Sequence, residues 1–139
     1  MAVVLRTLML LLAAGFVAGP VSAQEAEPSG EELRYLELKP TFVTNFDFSH
    51  DGRLKYLKAD VNVRTGSAAA EAAVKYHLPL MRNALVLLLS RQSEGTVSTR
   101  EGRAQMRTEA IEELNELLLE EEGEAYVIDI LFTNFIVQR

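Results

Sequence analysis

The sequence predicts an α+β domain in which a small antiparallel sheet packs against two to three helices. Three observations favour this fold class. A strand-like apolar pattern fills the first part of the domain, and Asp51-Gly52, a pair typical of hairpin turns, divides it into two strands. Residues rich in strong helix formers follow from about position 67 to 119. The chain then ends on a third strand-like run, ILFTNFIVQR.

The N-terminal segment, residues 1–23, is predicted to be a signal peptide. Its apolar run covers residues 8–18, and the small residues VSA, which end at Ala23, are typical of the site where signal peptidase cleaves. We therefore place cleavage after Ala23. The run is short for a membrane span, which needs about 20 residues. The alternative is a single-pass inner-membrane anchor formed by residues 3–22, and both alternatives take the remaining chain out of the cytoplasm.

A flexible linker is predicted at residues 24–33, because QEAEPSGEE is polar and contains Pro28 and Gly30. Residues 34–139 are predicted to form one domain. The formal net charge of the chain is −6, which argues against a nucleic-acid partner. The chain has no cysteine, so its fold depends on its core and not on disulfides or thiolate-bound metals.

Two strands are predicted to form a hairpin. Pro40 in the first strand, 35–48, indicates an edge strand or a bulge because it lacks an amide donor. The residues of this strand that share one parity, and so would line one face, are Leu36, Leu38, Phe42, Phe46 and Phe48. In the second, 54–64, apolar and polar residues alternate, as is typical of an antiparallel strand with one buried face. The inward residues of this strand are Leu57, Ala59, Val61 and Val63.

The middle of the chain predicts helices. Ser67 is a plausible N-cap for the first, and Pro79 either kinks that helix or begins a second one. The run ALVLLL at residues 84–89 has no polar face, which predicts burial on most sides. Residues 93–97 are expected to form a loop.

The last helix is predicted to begin at a capping box, in which Ser98 is the N-cap and Glu101 lies three residues later. It is expected to run to about Leu119 and to end at Gly123, a residue suited to a helix C-terminus.

One stripe of this helix combines arginines with core-type residues. Its members are Arg100, Arg103, Arg107, Ile111, Leu114 and Leu118. Their helical spacing places them on one side, so we expect the first turns of the helix to overhang the domain. Two interpretations of Arg100, Arg103 and Arg107 remain open. They either pair with acids of the same chain or contact an acidic neighbour, which is another copy or a partner protein.

The final strand is expected to begin near Ala125 and to be apolar on both faces. One face would carry Tyr126, Ile128, Ile130, Phe132 and Ile136, and the other Val127, Leu131, Phe135 and Val137. Such a pattern predicts a central strand covered on both sides. The helices are too few to cover both faces of the sheet, so a partner surface is expected on one of the two faces.

No catalytic, cofactor or metal site is predicted. His50 and His77 lack the HxH or HxxxH spacing of zinc sites, and the carboxylates cluster on one helix side and in a loop. The GxSxG, P-loop and GxGxxG motifs are absent from the sequence. We therefore expect a protein that is not an enzyme.

Four stretches, in order over about residues 34–139, resemble the flagellar basal body-associated FliL family. They are YLELKPTFVTNF, HLPLMRNALVLLLS, VSTREGRAQMRTEAIEELNELL and DILFTNFIVQ. The resemblance implies a stomatin/prohibitin-like domain in the bacterial periplasm, at the inner membrane and the flagellar basal body. It also implies a non-enzymatic homo-oligomer that supports the flagellar stator in motility and chemotaxis. The cleavable signal departs from the family's usual N-terminal membrane helix.

Two functions of different classes therefore remain. The first is a structural protein of the basal body that binds the stator or itself. The alternative is a soluble periplasmic carrier that holds a lipid or another apolar ligand between its sheet and its helices.

Overall fold

The computed structural model describes residues 32–48 and 52–139. The predicted signal peptide with its cleavage site after Ala23, most of the predicted linker, His50 and Asp51 lie outside these residues. The described residues form the predicted α+β domain, with four helices in place of the two to three that were expected. Its elements are β1 Arg34–Glu37, β2 Phe42–Phe46, β3 Lys55–Thr65, α1 Ala68–Tyr76, α2 Leu78–Ser90, α3 Glu94–Ser98, α4 Arg100–Glu122 and β4 Asp129–Gln138.

The centre of the open antiparallel sheet is β3. One of its edges pairs with β1 and then β2, and its other edge pairs with β4. The predicted hairpin of β2 and β3 is confirmed, and so is the alternating burial of β3. The expectation that the last strand is central is wrong, because among residues 32–48 and 52–139 β4 pairs with β3 alone. The long, evenly alternating β3 is the strand with neighbours on both sides.

The helices cover one face of the sheet. The helix α2 packs beside β2, α4 packs beside β4, and the two helices contact each other. Between them and the sheet lies a core whose largest fully buried side chains include Phe42, Phe46, Leu85, Met106 and Leu114. The opposite face of the sheet is exposed and mixed in character, with Val43 61% accessible and Ile136 53% accessible.

The single first strand expected at residues 35–48 is divided in two at Pro40. The pairing register shifts between β1, where Glu37 lies opposite Asn62, and β2, where Phe42 lies opposite Ala59. This is the irregularity that Pro40 indicated, and the Lys39-Pro40 bond is cis.

Arg82 of α2 binds the backbone at the break between β1 and β2. Its Nη1 donates to the carbonyl oxygens of Leu38 at 2.7 Å and Pro40 at 2.6 Å. The guanidinium also lies 4.0 Å from the centroid of the Phe42 ring. Burial lowers the pKa of Arg82 from its usual value, but the charge remains because that value is far above neutral pH.

A bulge explains the apolar pattern of β4. Thr133 lies opposite Asp60 and Ile136 opposite Lys58, so β4 has one more residue than β3 at this point. Asn134 within the bulge has a φ of 47°.

The extra residue reverses the parity of the strand. Ile130 and Phe132 before the bulge and Phe135 and Val137 after it all pack on the same core. Ile136, expected to share a face with Ile130, is exposed instead. The expectation of two buried faces is therefore wrong, because one face and one bulge account for the pattern.

Asp60 of β3 links the irregularities on the two sides of the sheet. Its Oδ1 accepts from the Thr41 hydroxyl at 2.6 Å, next to the β1–β2 break. Its Oδ2 accepts from the Asn134 side-chain amide at 2.6 Å, at the β4 bulge. These two hydrogen bonds, that of Asn134 foremost, lower the pKa of Asp60.

The strand β4 begins at Asp129, later than expected, because an asparagine of α4 holds the preceding segment. Asn115 donates to the Val127 carbonyl at 2.9 Å and accepts from the Val127 amide at 2.9 Å. The side-chain amide of Asn115 thus takes the place of a neighbouring strand for the backbone of Val127, a buried residue.

The far end of β4 is held by charged groups. Arg139 pairs with Glu94 of α3 at 2.8 Å and donates to the Ser98 hydroxyl at 2.9 Å. Glu94 also pairs at 3.0 Å with the buried Lys55, which pairs with Asp47 at 2.9 Å. The apolar C-terminal run is therefore fixed at both ends and along β3.

The helix boundaries confirm Ser67 as an N-cap, since its side chain accepts from the Ala70 amide. Pro79 lies in the first turn of α2, so it begins a second helix. The expected burial of residues 84–89 on most sides is wrong for two of them, because Val86 and Leu87 are exposed.

The expected loop at residues 93–97 is instead the short helix α3, with Ser93 as its N-cap. The N-cap of α4 is Thr99 and not Ser98, since the Thr99 side chain accepts from the Gly102 amide. Gly123, with a φ of 77°, ends α4 as predicted.

The first turns of α4 do not overhang the domain. They pack against α3 so closely that a Cβ on Gly102 would overlap the backbone of Thr96. Met106, one turn further on, is fully buried. The helix α3, which was not predicted, supplies the surface on which the start of α4 packs.

Candidate functional site

An open groove of about 310 Å³ lies between the first half of α4 and the strand β4. Its lining residues are Arg103, Ala104, Arg107, Ile130, Leu131, Phe132 and Phe135. Two arginines of the predicted stripe thus stand beside an apolar wall built from β4. We refer to this surface as the β4 groove.

Arg107 is paired within the chain. Its Nε donates to Oδ1 of Asp129 at 2.8 Å, and a terminal nitrogen donates to Oδ2. The guanidinium lowers the pKa of Asp129, and the carboxylate raises that of Arg107. Asp129 also accepts from the Ile130 amide at 2.7 Å. The intramolecular interpretation is therefore the one the structure supports for Arg107.

Arg103 has a different environment. Its guanidinium lies 5.7 Å from the centroid of the Phe135 ring, which is a cation–π contact. Phe135 in turn meets Phe132 edge to face, with centroids 6.1 Å apart. Within residues 32–48 and 52–139, no carboxylate forms an ion pair with Arg103. Its charge is therefore available to a group that enters the groove.

Arg100 lies one turn earlier on α4, is exposed, and is absent from the groove lining. The structure thus brings together Arg103 and Arg107 but leaves Arg100 apart. A contact of these three arginines with a partner or with another copy stays a prediction.

Beside the groove runs an open sheet edge. In the described part of the chain, β4 pairs with β3 alone, so the backbone groups on its other side have no strand partner. An edge of this kind can pair with another extended chain.

The aromatic part of the groove was not predicted from sequence. A strict two-residue period places Phe132 and Phe135 on opposite faces, whereas the bulge at Asn134 places them together. The available signal was Asn134 itself, because asparagine adopts a positive φ more readily than most residues. Asn115 and Asp60 were likewise not recognised as the residues that position β4.

The second half of α4 has the opposite charge. Two further open grooves of about 400 Å³ and 290 Å³ lie along it. The glutamates that line them are Glu109, Glu112, Glu113, Glu116, Glu120 and Glu121. Arg91 pairs with Glu113, whereas most of these carboxylates face solvent. The helix is thus basic near its start and acidic over its remaining length.

His77 is a helix-junction residue. It ends α1 and precedes α2, and its Nε2 lies 2.6 Å from Oε1 of Glu122 at the end of α4. No cluster of histidine and carboxylate groups suited to a metal ion occurs among the described residues. No helix of the described part of the chain has the length and apolar character needed to cross a membrane.

Comparison with known proteins places these features in a family. The family described as flagellar basal body-associated protein FliL matches residues 35–138, which include nearly all of the described sheet and helices. The flagellar protein FliL of Aquifex aeolicus (strain VF5) is 24% identical over 102 residues, 73% of this chain and 60% of that relative. The chain therefore spans less than two thirds of this relative. Since the family match covers most of the sequence, the chain belongs to the FliL family of flagellar basal body-associated proteins.

Proposed function

We propose that this chain is a non-enzymatic periplasmic protein that supports the flagellar stator in motility and chemotaxis. The observation that carries the proposal is the family match over residues 35–138. The predicted signal peptide or anchor at residues 1–23 supports a periplasmic position at the inner membrane, beside the basal body. The proposed likeness to stomatin and prohibitin domains rests on the family resemblance alone.

The β4 groove is the proposed contact with an acidic neighbour in the basal body. Arg103 supports this role because its charge is not compensated by a carboxylate of the described residues. Phe132 and Phe135 add apolar area beside that charge. An arginine next to aromatic rings is a combination found at the centres of protein–protein interfaces.

Self-association around or against the stator is the second part of the proposal. Support comes from exposed aliphatic residues on α2, since Leu80 is 41% accessible and Leu87 is 53% accessible. These residues lie seven positions apart and therefore share one side of the helix. We propose that this side contacts another copy, which leaves the β4 groove for the stator.

The test of the stator role is swimming in soft agar. The chromosomal gene is replaced by the full chain with Arg103→Glu, and the expected result is a smaller swimming zone at an unchanged protein level. Arg91→Glu is the matched control, because Arg91 is also exposed but lies away from the β4 groove. Normal swimming of both the Arg103→Glu strain and a deletion strain would overturn the proposal.

Self-association is tested separately by sedimentation of the full chain over a range of concentrations. We expect oligomers that dissociate on dilution and that are weakened by Leu87→Glu. A monomer at the highest concentration would contradict this part of the proposal and leave the stator contact unaffected.

The carrier alternative gains no support from the described residues. The space between sheet and helices is filled by buried side chains, and the grooves that were found are open at the surface. Sites for apolar ligands bury most of the ligand's surface in a cleft or cavity.

A further inference from the structure

We propose that the free edge of β4 accepts an extended acidic segment of a partner protein as an added strand. Alternate side chains of this segment would enter the β4 groove. The inference rests on the proposed function, since it gives the chemical character of the neighbour that the groove contacts.

The first argument is the backbone of the edge. The strand β4 has ten residues, contains no proline, and pairs in the described part of the chain with β3 alone. Its exposed side chains include Leu131 and Ile136, and none is a lysine. Edge strands that must avoid other chains usually carry lysine, proline, a bulge or a covering segment. Of these, β4 has the bulge at Asn134, so residues 129–133, before the bulge, are the part of the edge best suited to pairing.

The second argument is the shape beside the edge. Side chains of a strand alternate between its two faces, so every second residue of an added strand would point toward α4. On that side lie the half-buried rings of Phe132 and Phe135. An apolar side chain of the added strand would cover these rings, as happens when peptides bind to sheet edges.

The third argument is charge. A carboxylate at the rim of the groove would meet Arg103, which has a ring contact but no acidic partner among the described residues. Arg107 is already paired with Asp129 and would mainly shape the groove. A hydrogen bond between a guanidinium and a carboxylate is stronger than one between neutral groups. The preferred segment therefore alternates acidic with apolar residues.

Two nearer occupants fit less well. The acidic stretch QEAEPSGEE of this chain has no large apolar side chain, and Pro28 lacks an amide donor. The free β4 edge of a second copy carries one carboxylate, Asp129, which is already paired with Arg107, and its other sheet edge is interrupted at Pro40. A segment from a different protein remains as the occupant.

The test is fluorescence anisotropy with the full chain and a labelled synthetic peptide. The peptide is about ten residues long, matching β4, and alternates glutamate with valine or phenylalanine. We expect saturable binding, at least about tenfold weaker with Arg103→Glu and unchanged with Arg91→Glu. We also expect loss of binding when alternate backbone amides of the peptide are N-methylated, because this removes donors and leaves the side chains.

Several results would overturn the inference. Equal binding of the N-methylated peptide would exclude strand addition, and equal binding of a lysine-substituted peptide would exclude the charge argument. Equal binding of a peptide with the sequence of residues 24–33 would assign the edge to the chain's own segment. Absence of binding at a peptide concentration of about 1 mM would also overturn the inference, because even a weak complex would be detected at that concentration. If swimming nevertheless fails with Arg103→Glu, the proposed function stands without this inference.

Discussion

The two edges of the sheet differ in how well they could pair with another strand. On the β1–β2 side, the edge is short and interrupted at Pro40, and Arg82 occupies the carbonyls of Leu38 and Pro40. On the β4 side, the strand has ten residues with a bulge at Asn134, and it lies beside a groove in which no carboxylate of the described residues pairs with Arg103. Proline and an arginine bound to the backbone block pairing with other chains, whereas residues 129–133 of β4, before its bulge, keep an edge that can pair. The contrast indicates which side of this domain is suited to a partner strand.

The largest effect is expected from Asn115→Leu, which removes the attachment of the segment before β4. The buried amide and carbonyl of Val127 would lose their partners, so we expect the free energy of unfolding to fall by about 3 kcal/mol. Urea denaturation measures this change. Glu116→Gln, on the exposed side of the same helix turn, is the control and should change stability by less than about 0.5 kcal/mol. A loss as small as that of the control would show that Asn115 does not hold the segment before β4.

Arg82→Met tests the opposite edge and should have a somewhat smaller effect. It removes the donor to the Leu38 and Pro40 carbonyls and the contact with the Phe42 ring. Because water can reach the Pro40 carbonyl, we expect a loss of about 2 kcal/mol in urea denaturation.

Arg91→Met is the matched control for Arg82→Met, since it removes an exposed arginine and should have little effect. If Arg82→Met and Arg91→Met proved equally stable, Arg82 would not be needed to hold the interrupted edge.

Asp60→Asn tests the link between the two edges and should have the smallest effect. Hydrogen bonds from Asn134 and Thr41 lower the pKa of Asp60 below its usual 3.8, so the ionised carboxylate stabilises the folded state above about pH 4. This contribution is lost as the pH falls through the lowered pKa of the folded state. We therefore expect the Tm difference between the wild type and Asp60→Asn to be largest near neutral pH and to narrow below about pH 4.

Thr41→Val removes only one of the two hydrogen bonds of Asp60, so its Tm profile should lie between those of the wild type and Asp60→Asn. A constant Tm difference at all pH values would mean that Asp60 acts through its shape and not through its charge.

Local patterns in the sequence were sufficient for much of the fold. The alternation of β3, the N-cap Ser67 and the end of α4 at Gly123 each depend on neighbouring residues, and each was predicted correctly. For Pro79, the sequence left two alternatives, and the second of them, a new helix, is the one observed. The short helix α3 was missed because five residues are too few to show a helical period.

The site depended on long-range contacts and was therefore only partly predictable. The arginine stripe on α4 was visible from its spacing, but its surroundings were not. Arg107 meets Asp129, 22 positions away, and Phe135 reaches Arg103 only because of the bulge at Asn134. A pattern within a single segment does not contain these contacts.

The bulge in β4 has a consequence for the comparison of relatives. A gap of a single position at Asn134 would exchange interior and exterior for Phe135 and every later residue of β4. Identities counted downstream of a misplaced gap would therefore compare side chains from opposite faces of the sheet. The C-terminal strand of this chain can be aligned reliably with that of a relative only when the extra residue is matched first.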